Sequence, residues 1–449
     1  MSQIIYPKIE GAIIKVIGIF DYDKKFQQNL ESSLGYTVVP VIDFKNAQFY
    51  RDKYYKEFNE LMLTRTAKNA TRTYEKGLSS KILFKKFETI EKSGVIEKRE
   101  KEIVAEISHL ELKLFENNIG IFAMTVMVDS WNFQEISDLT YCLRFFSTQV
   151  EGENIPLHMW ISKHVLGGKS LRTSEENKVD SDDYSGSKFK IYSAFSVDET
   201  NVENYDRNEL LFELGTASKL GSVSAKNYDT PSYEYYDEIM NNKVSAFNSS
   251  TALALLDSYT VIGHDLFYSN GEIHRNNFSS YNNIYFSIYL FNLYIKYNVF
   301  RFNSKFKEDA VKYKSRFEDF INDYNYSHIS FDFLPNLIYS KMRAALGIEN
   351  EIKQFEKRLN SLAANIQEEQ EKRQALLLGF ISVISSISAF EPIKETIEQM
   401  RLITGLEINL FYTLFTFFLM IGIIAILSYL FPHIAKKVWK KLNLYFKND

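Results

Sequence analysis

Gln374, Leu378, Ser382, Ser385 and Ala389 recur at steps of four, four, three and four. On an α-helix that spacing places them on one stripe. Hydroxyl and amide oxygens in such a row can replace part of an ion's hydration shell, and a leucine among them can close a passage by dewetting. Lipid offers these groups no hydrogen-bond partner, so the stripe must face protein or water. Two readings follow: close helix packing, which small and hydroxyl residues favour, or the lining of a pore. Just beyond, Glu391, Glu395 and Glu398 share one face if helix continues past Pro392. Repeated around an axis they would form an outer mouth that concentrates cations.

The elements that must position this stripe are apolar runs near the end of the chain. The first is "RQALLLGFISVISSISAFEPIKET" (373–396), apolar or hydroxylated from about 374 to 390. The second, "INLFYTLFTFFLMIGIIAILSYLFPHIA" (408–435), holds no charged residue. At 1.5 Å per residue the second is long enough for a bilayer core of roughly 30 Å. "KKVWKK" follows it, and lysines beside a span mark its cytoplasmic end. The connector 391–407 is net acidic, and Lys372 and Arg373 precede the first run. The pattern predicts a transmembrane hairpin, about 374–390 and 408–432, with both termini cytoplasmic and membrane lipid around it. Two helices cannot enclose a conduit, so a pore requires a homo-oligomer.

Upstream, Ile348, Ile352, Phe355, Leu359, Leu362 and Ile366 step by 4, 3, 4, 3, 4, the seam of a long packed helix or coiled coil. With Pro335 near its start, that stalk helix is expected to run from about 336 to 390. The organisation expected is an α/β sensor domain over 1–275, a helical stalk region over 276–373 and the hairpin over 374–449. The fold class expected is thus an α+β/α membrane protein: a cytoplasmic α/β domain, with a long stalk helix continuing into the first of two C-terminal transmembrane helices.

Within the first part, "GAIIKVIGIF" (11–20) is interrupted by Lys15 and reads as a buried strand, not a secretion signal. "YTVVPVIDF" (36–44) and "IGIFAMTVMV" (119–128) read as strands, about 48–106 as a charged helical stretch, and "ISDLTYCLRFF" (136–146) as a helix. "SEENKVDSDDYSGS" (174–187) reads as an exposed loop. Strands and short helices over 188–275 and a helix pair at 279–302 and 304–326 complete the domain. Residues 276–295 carry no charge, yet five asparagines make them a buried helix of a globular domain rather than a span.

Several apparent motifs fail on spacing. "GGKS" (167–170) has Lys163 where a phosphate loop needs its first glycine. "DSDDYSG" (180–186) puts Tyr184 where a calcium loop needs an oxygen ligand. The seven histidines show no metal-binding pair spacing. Cys142 stands alone, which excludes a disulfide framework and suits a core position. No nucleophile–base constellation emerges, so an enzyme is not expected. The charge balance, 53 basic against 57 acidic residues, provides no basic field for direct nucleic-acid binding.

The predicted order of parts, together with "HLELKLFENNIGIFAMTVMV" (109–128), "SAFNSSTALALLDSYTVIG" (245–263) and "IYFSIYLFNLYIKYNVFRFN" (284–303), resembles the CorA superfamily of divalent-cation channels. The resemblance implies a pentamer in a bacterial inner membrane. It departs at the family's Gly-Met-Asn signature, where Ser388, Ala389 and Phe390 stand instead. The family's magnesium selectivity therefore transfers to no residue here, and a divalent cation remains only a candidate cargo. The chain looks most like the branch found beside type III CRISPR systems, which implies an antiviral effector gated by a nucleotide-type regulatory ligand. Three functions are expected in order: a gated ion channel, a divalent-cation transporter, and a non-conducting anchor for a ligand-binding domain. The ligand pocket is not assigned to any residue.

Overall fold

The computed structural model describes residues 5–42, 47–92, 95–127, 132–172, 188–199, 205–224, 230–269, 272–305 and 310–388, with isolated positions between 392 and 422. Contacts divide the chain into two units, Met1–Leu359 and Asn360–Asp449.

The first unit is built on β1 (Lys8–Asp21), whose apolar residues are buried on both faces. Ile14, Val16 and Phe20 enter one core, and Ile13, Ile17 and Ile19 enter the other. This explains the unbroken run: a central strand covered on both sides needs no polar alternation. Its neighbours are β2 (Thr37–Val38), β3 (Arg72–Lys92), β4 (Val95–Phe115), β5 (Ile119–Met127), β6 (Leu171–Arg172), β7 (Lys190–Asp198), β8 (Lys243–Phe247), β9 (Ser250–Ala254) and β10 (Ser258–His264). They form a ten-stranded sheet in the order β8-β9-β10-β7-β1-β5-β4-β3-β2, with β6 paired to the end of β1. All pairs are antiparallel except β7 with β10.

One face is covered by α1 (Lys24–Ser32), α2 (Phe133–Arg144), α3 (Leu157–His164) and α4 (Arg207–Thr216). Helix α5 (Tyr233–Met240) contacts α4 and contributes no buried side chain. The other face carries α6 (Phe286–Lys305), α7 (Ala310–Tyr324), α8 (Phe333–Ala345) and the start of α9 (Ile348–Ser388). Of the charge-free stretch 276–295, Phe286–Ile295 is buried within this core, whereas the short helix Arg275–Ser279 contains no buried residue. Asn292 and Asn298 are buried there and donate to the carbonyls of Ile288 and Tyr294, each 2.9 Å away.

β1 and β5 pack through reciprocal glycine–phenylalanine pairs. Gly18 lies opposite Phe122, and Phe20 lies opposite Gly120. A Cβ on Gly120 would sit 2.4 Å from the Phe20 ring, and one on Gly18 would sit 2.3 Å from that of Phe122. Gly120→Ala is therefore expected to cost about 1–2 kcal/mol in urea unfolding. An unchanged midpoint would show that Phe20 can move aside.

The charged helix expected over about 48–106 is replaced by two short helices, Gln48–Lys53 and Lys56–Phe58, a π-helical turn, Asn59–Leu63, and then the β3–β4 hairpin. The hairpin alternates by two. Ile82, Phe84, Ile103, Ala105 and Ile107 are buried, while Lys81 and Lys85 meet Glu106 and Glu100 across the ribbon at 3.6 and 2.6 Å. Dense charge on an outward face had masked the period of two. The run 36–44 contributes only β2 to the sheet, and the loop 174–187 lies outside the described residues.

The stalk and membrane expectations are corrected. No helix runs from 336 to 390: α8 ends before Gly347, whose φ of +65° breaks the path, and α9 begins afresh at Ile348. Glycine adopts that left-handed conformation without strain. Among the described residues, no helix is long and apolar enough to cross a membrane. The reason is length: α9 stays charged to Arg373 and is described to Ser388, leaving an apolar part of about 22 Å against a core of roughly 30 Å. The fold observed is a mixed α/β architecture around one large sheet. The membrane-protein fold class, the ion-channel designation and the inner-membrane location with cytoplasmic termini are not supported. Of the second expected span, 408–432, the described residues are Phe415, Leu419 and Gly422, each a helical position, and the rest lies outside the described residues.

Candidate ligand-binding cavity

The sheet register places a polar row on the face shared with α6. Lys15 on β1 pairs with Thr125 on β5, and Thr125 pairs with His109 on β4. On the adjoining rungs, Glu111 pairs with Glu75, and Lys113 with Thr73, both partners on β3. Leu110, Leu112 and Leu114 alternate with these residues and fill the opposite core. An irregularity between Ile107 and His109 changes the parity of β4 there. Ile103, Ala105 and Ile107 consequently face the same way as Leu110, while His109 turns to the polar side.

This row floors a cavity of about 490 Å³. Its walls include two π-helical turns. Met62 and Leu63 belong to the turn Asn59–Leu63, while Asn282, Asn283 and Ile284 belong to Ser280–Tyr285. Tyr50, Phe278 and Phe286 supply aromatic surface. Such π turns are uncommon and gather at functional sites, and two of them border this one space. Arg65 also lines it, at a left-handed φ of +60°. Its guanidinium donates to the Val39 carbonyl at 3.1 Å and to that of Pro40, and burial lowers its pKa.

Lys15 is 3% exposed. Its Nζ donates to the Asn282 carbonyl at 3.1 Å, lies 4.0 Å from Glu111 Oε2 and sits 3.9 Å from the centre of the Phe286 ring. Burial is the larger influence and brings its pKa down to about 8, although Glu111 opposes the shift. Glu111 is also 3.0 Å from Lys113 Nζ. Burial alone would raise its carboxyl, but Lys113 and Lys15 outweigh that and hold it at about 2. Three cations, Lys15, Lys113 and Arg65, thus face two carboxylates, Glu111 and Glu75. The surplus suits an anion, and the rings and side-chain amides suit a planar polar group.

The residues expected to form a pore belong to the second unit, Asn360–Asp449. Gln374 and Leu378 are exposed positions on α9, and Leu378 is 64% exposed. Ser382 and Ser385 lie on the same helix, but their side chains fall outside the described residues, as do Ala389, Glu391 and Glu398 entirely. Glu395 is an exposed helical position. Among the described residues, no group of three His, Cys, Asp or Glu could hold a metal ion. Cys142 is buried, which pushes its thiol up to about 11, in keeping with a core role.

Sequence reasoning missed the cavity residues although two signals were visible. Lys15 interrupts an otherwise apolar central strand, and His109, Glu111 and Lys113 alternate with three leucines in "HLELKLF". Lys15 was read only as an interruption of a buried strand, and "HLELKLF" only as part of a stretch that carries a family resemblance.

The fold and cavity define a mixed α/β protein with a polar site between the sheet and one helical layer. No family model matches the chain, and no curated protein or solved structure matches it significantly.

Proposed function

We propose that the unit Met1–Leu359 is a ligand-sensing domain that binds an anionic, nucleotide-type molecule in this cavity and acts through binding rather than catalysis. The observation that carries the reading is the buried Lys15–Glu111–Lys113 row on the floor of a cavity bounded by two π turns. A volume near 490 Å³ falls within the usual range of roughly 300–1,000 Å³ for small-molecule sites. Phosphate would meet the ammonium groups, while a base would stack on an aromatic face and meet the amides of Asn282 and Asn283. Isothermal titration of the full chain with ATP and with inorganic pyrophosphate tests this. ATP should bind, and Lys113→Met should weaken it at least tenfold. No binding of either probe, or equal binding by the variant, removes the reading.

We also propose that α9 brings copies of the chain together. Leu376, Leu377, Phe380, Ile381 and Ile384 are 45–73% exposed on that helix, an apolar surface large enough to call for cover. A second copy presents the same surface and can supply that cover. Leu377→Lys with Phe380→Lys should lower the mass seen by light scattering coupled to gel filtration. Unchanged mass would exclude α9 as the contact.

A further inference from the structure

The cavity roof is the segment Arg275–Tyr285, a short helix (Arg275–Ser279) followed directly by the π turn Ser280–Tyr285 and then by α6. Two sheet side chains reach into this turn, and both bond to backbone carbonyls. Lys15 Nζ donates to the Asn282 carbonyl at 3.1 Å, and Tyr192 Oη donates to the Tyr281 carbonyl at 2.6 Å. A helix departs from α geometry where a side chain inserts into its hydrogen-bond ladder. These two donors occupy carbonyls that α geometry would offer to N–H groups four residues on.

The two flanks of the turn differ sharply. Ile288 through Ile295 are each no more than 6% exposed, so α6 is fixed in the core. Arg275–Ser279 contains no buried residue, and its Phe278 lines the cavity. Converting the turn from π to α removes one residue from it. The lighter flank must then rotate by roughly 100° and advance by about 1.5 Å. That movement carries Phe278 across the cavity wall.

We propose that the π turn Ser280–Tyr285 is the latch of a lid over the cavity, held in π register by Lys15 and Tyr192 and released when an anion draws Lys15 away from the Asn282 carbonyl. The ligand-driven step rests on the binding function proposed above; the latch itself does not. Lys15 is then both an anchor for the ligand and the sensor of its arrival. Tyr192 is a positioning residue that acts through the backbone of the turn.

Hydrogen exchange read by mass spectrometry, without ligand, tests the latch. Lys15→Met and Tyr192→Phe each remove one tether, and the second keeps a ring that lies 5.1 Å from Phe286 and 5.5 Å from Tyr259. Exchange over 275–285 should rise at least fivefold in both variants, while 119–127 and 207–216 stay within twofold of the natural chain. Tyr192→Phe should also bind a fluorescent ATP analogue with a faster on-rate, because its anion subsite is intact and its lid is looser. Unchanged exchange over 275–285 in both variants overturns the latch, as does a rise spread evenly over the whole unit. If exchange rises locally but no nucleotide binds, the latch stands and the assignment of the ligand fails.

Discussion

Glu111→Gln is expected to cost the folded unit about 2–4 kcal/mol in urea unfolding at pH 7. Glutamine keeps the shape of the side chain, removes the charge and turns one acceptor oxygen into an NH2 donor. Lys15 would stay buried with Lys113 nearby and without its carboxylate partner, leaving Glu75 as the carboxylate on the cavity wall. Loss of one partner from a fully buried pair costs about 3–5 kcal/mol, and the 19% exposure of the Glu111 side chain reduces that. The substitution should also change the acid response. The folded-state pKa of Glu111 is depressed from 4.5 to about 2, so its contribution is present above pH 4.5 and is lost as the pH falls towards 2. The variant should lack that portion of the acid slope. A loss under 0.5 kcal/mol would show that the Asn282 carbonyl and the Phe286 ring suffice for Lys15.

What the sequence disclosed follows from how strongly each pattern was forced. β1 was legible because a strand buried on both faces has no polar alternation to hide it. The helix over 136–146 was legible because its apolar spacing of three and four survives as α2, capped by Asn132, whose side chain accepts from the Glu135 amide. The β3–β4 hairpin was not, because its outward rungs are Lys and Glu, residues equally at home on a solvated helix. The seam at Ile348, Ile352, Phe355 and Leu359 was real, but its partners lie within the same unit: Phe355 meets Phe317 at 4.7 Å between ring centres. Heptad spacing states that a face is buried and is silent about what buries it. The cavity was the least legible feature. Lys15, Glu111 and Arg65 are far apart in sequence, and only the strand register and the turn after Leu63 bring them to one space.

The second large effect is expected from Lys15→Met, and it depends on pH. Burial lowers the pKa of Lys15 from 10.5 to about 8, so the folded protein releases this proton before the unfolded protein does. Below pH 8 the charged amine is held in the interior at a cost. Between pH 8 and 10.5 the unfolded state binds more protons, and stability from this group rises with pH. The gain should reach about 2 kcal/mol between pH 8 and 9.5, at 1.36 kcal/mol per unit. Subtracting the methionine variant's urea-derived stability at each pH isolates the effect, because the lowered pKa of Lys190 and the raised pKa values of the buried tyrosines are common to both chains. At pH 7 the variant should be at least as stable as the natural chain, since an apolar side chain removes the buried charge and Lys113 still neutralises Glu111. Nucleotide affinity should move the other way. In the natural chain it should weaken at least fivefold from pH 7 to 9.5 as Lys15 loses its charge, and in Lys15→Met it should be weak throughout. A difference curve that stays flat from pH 8 to 9.5 would mean that Lys15 carries its proton equally in both states, and a loss of affinity by pH 9.5 could not then be assigned to it.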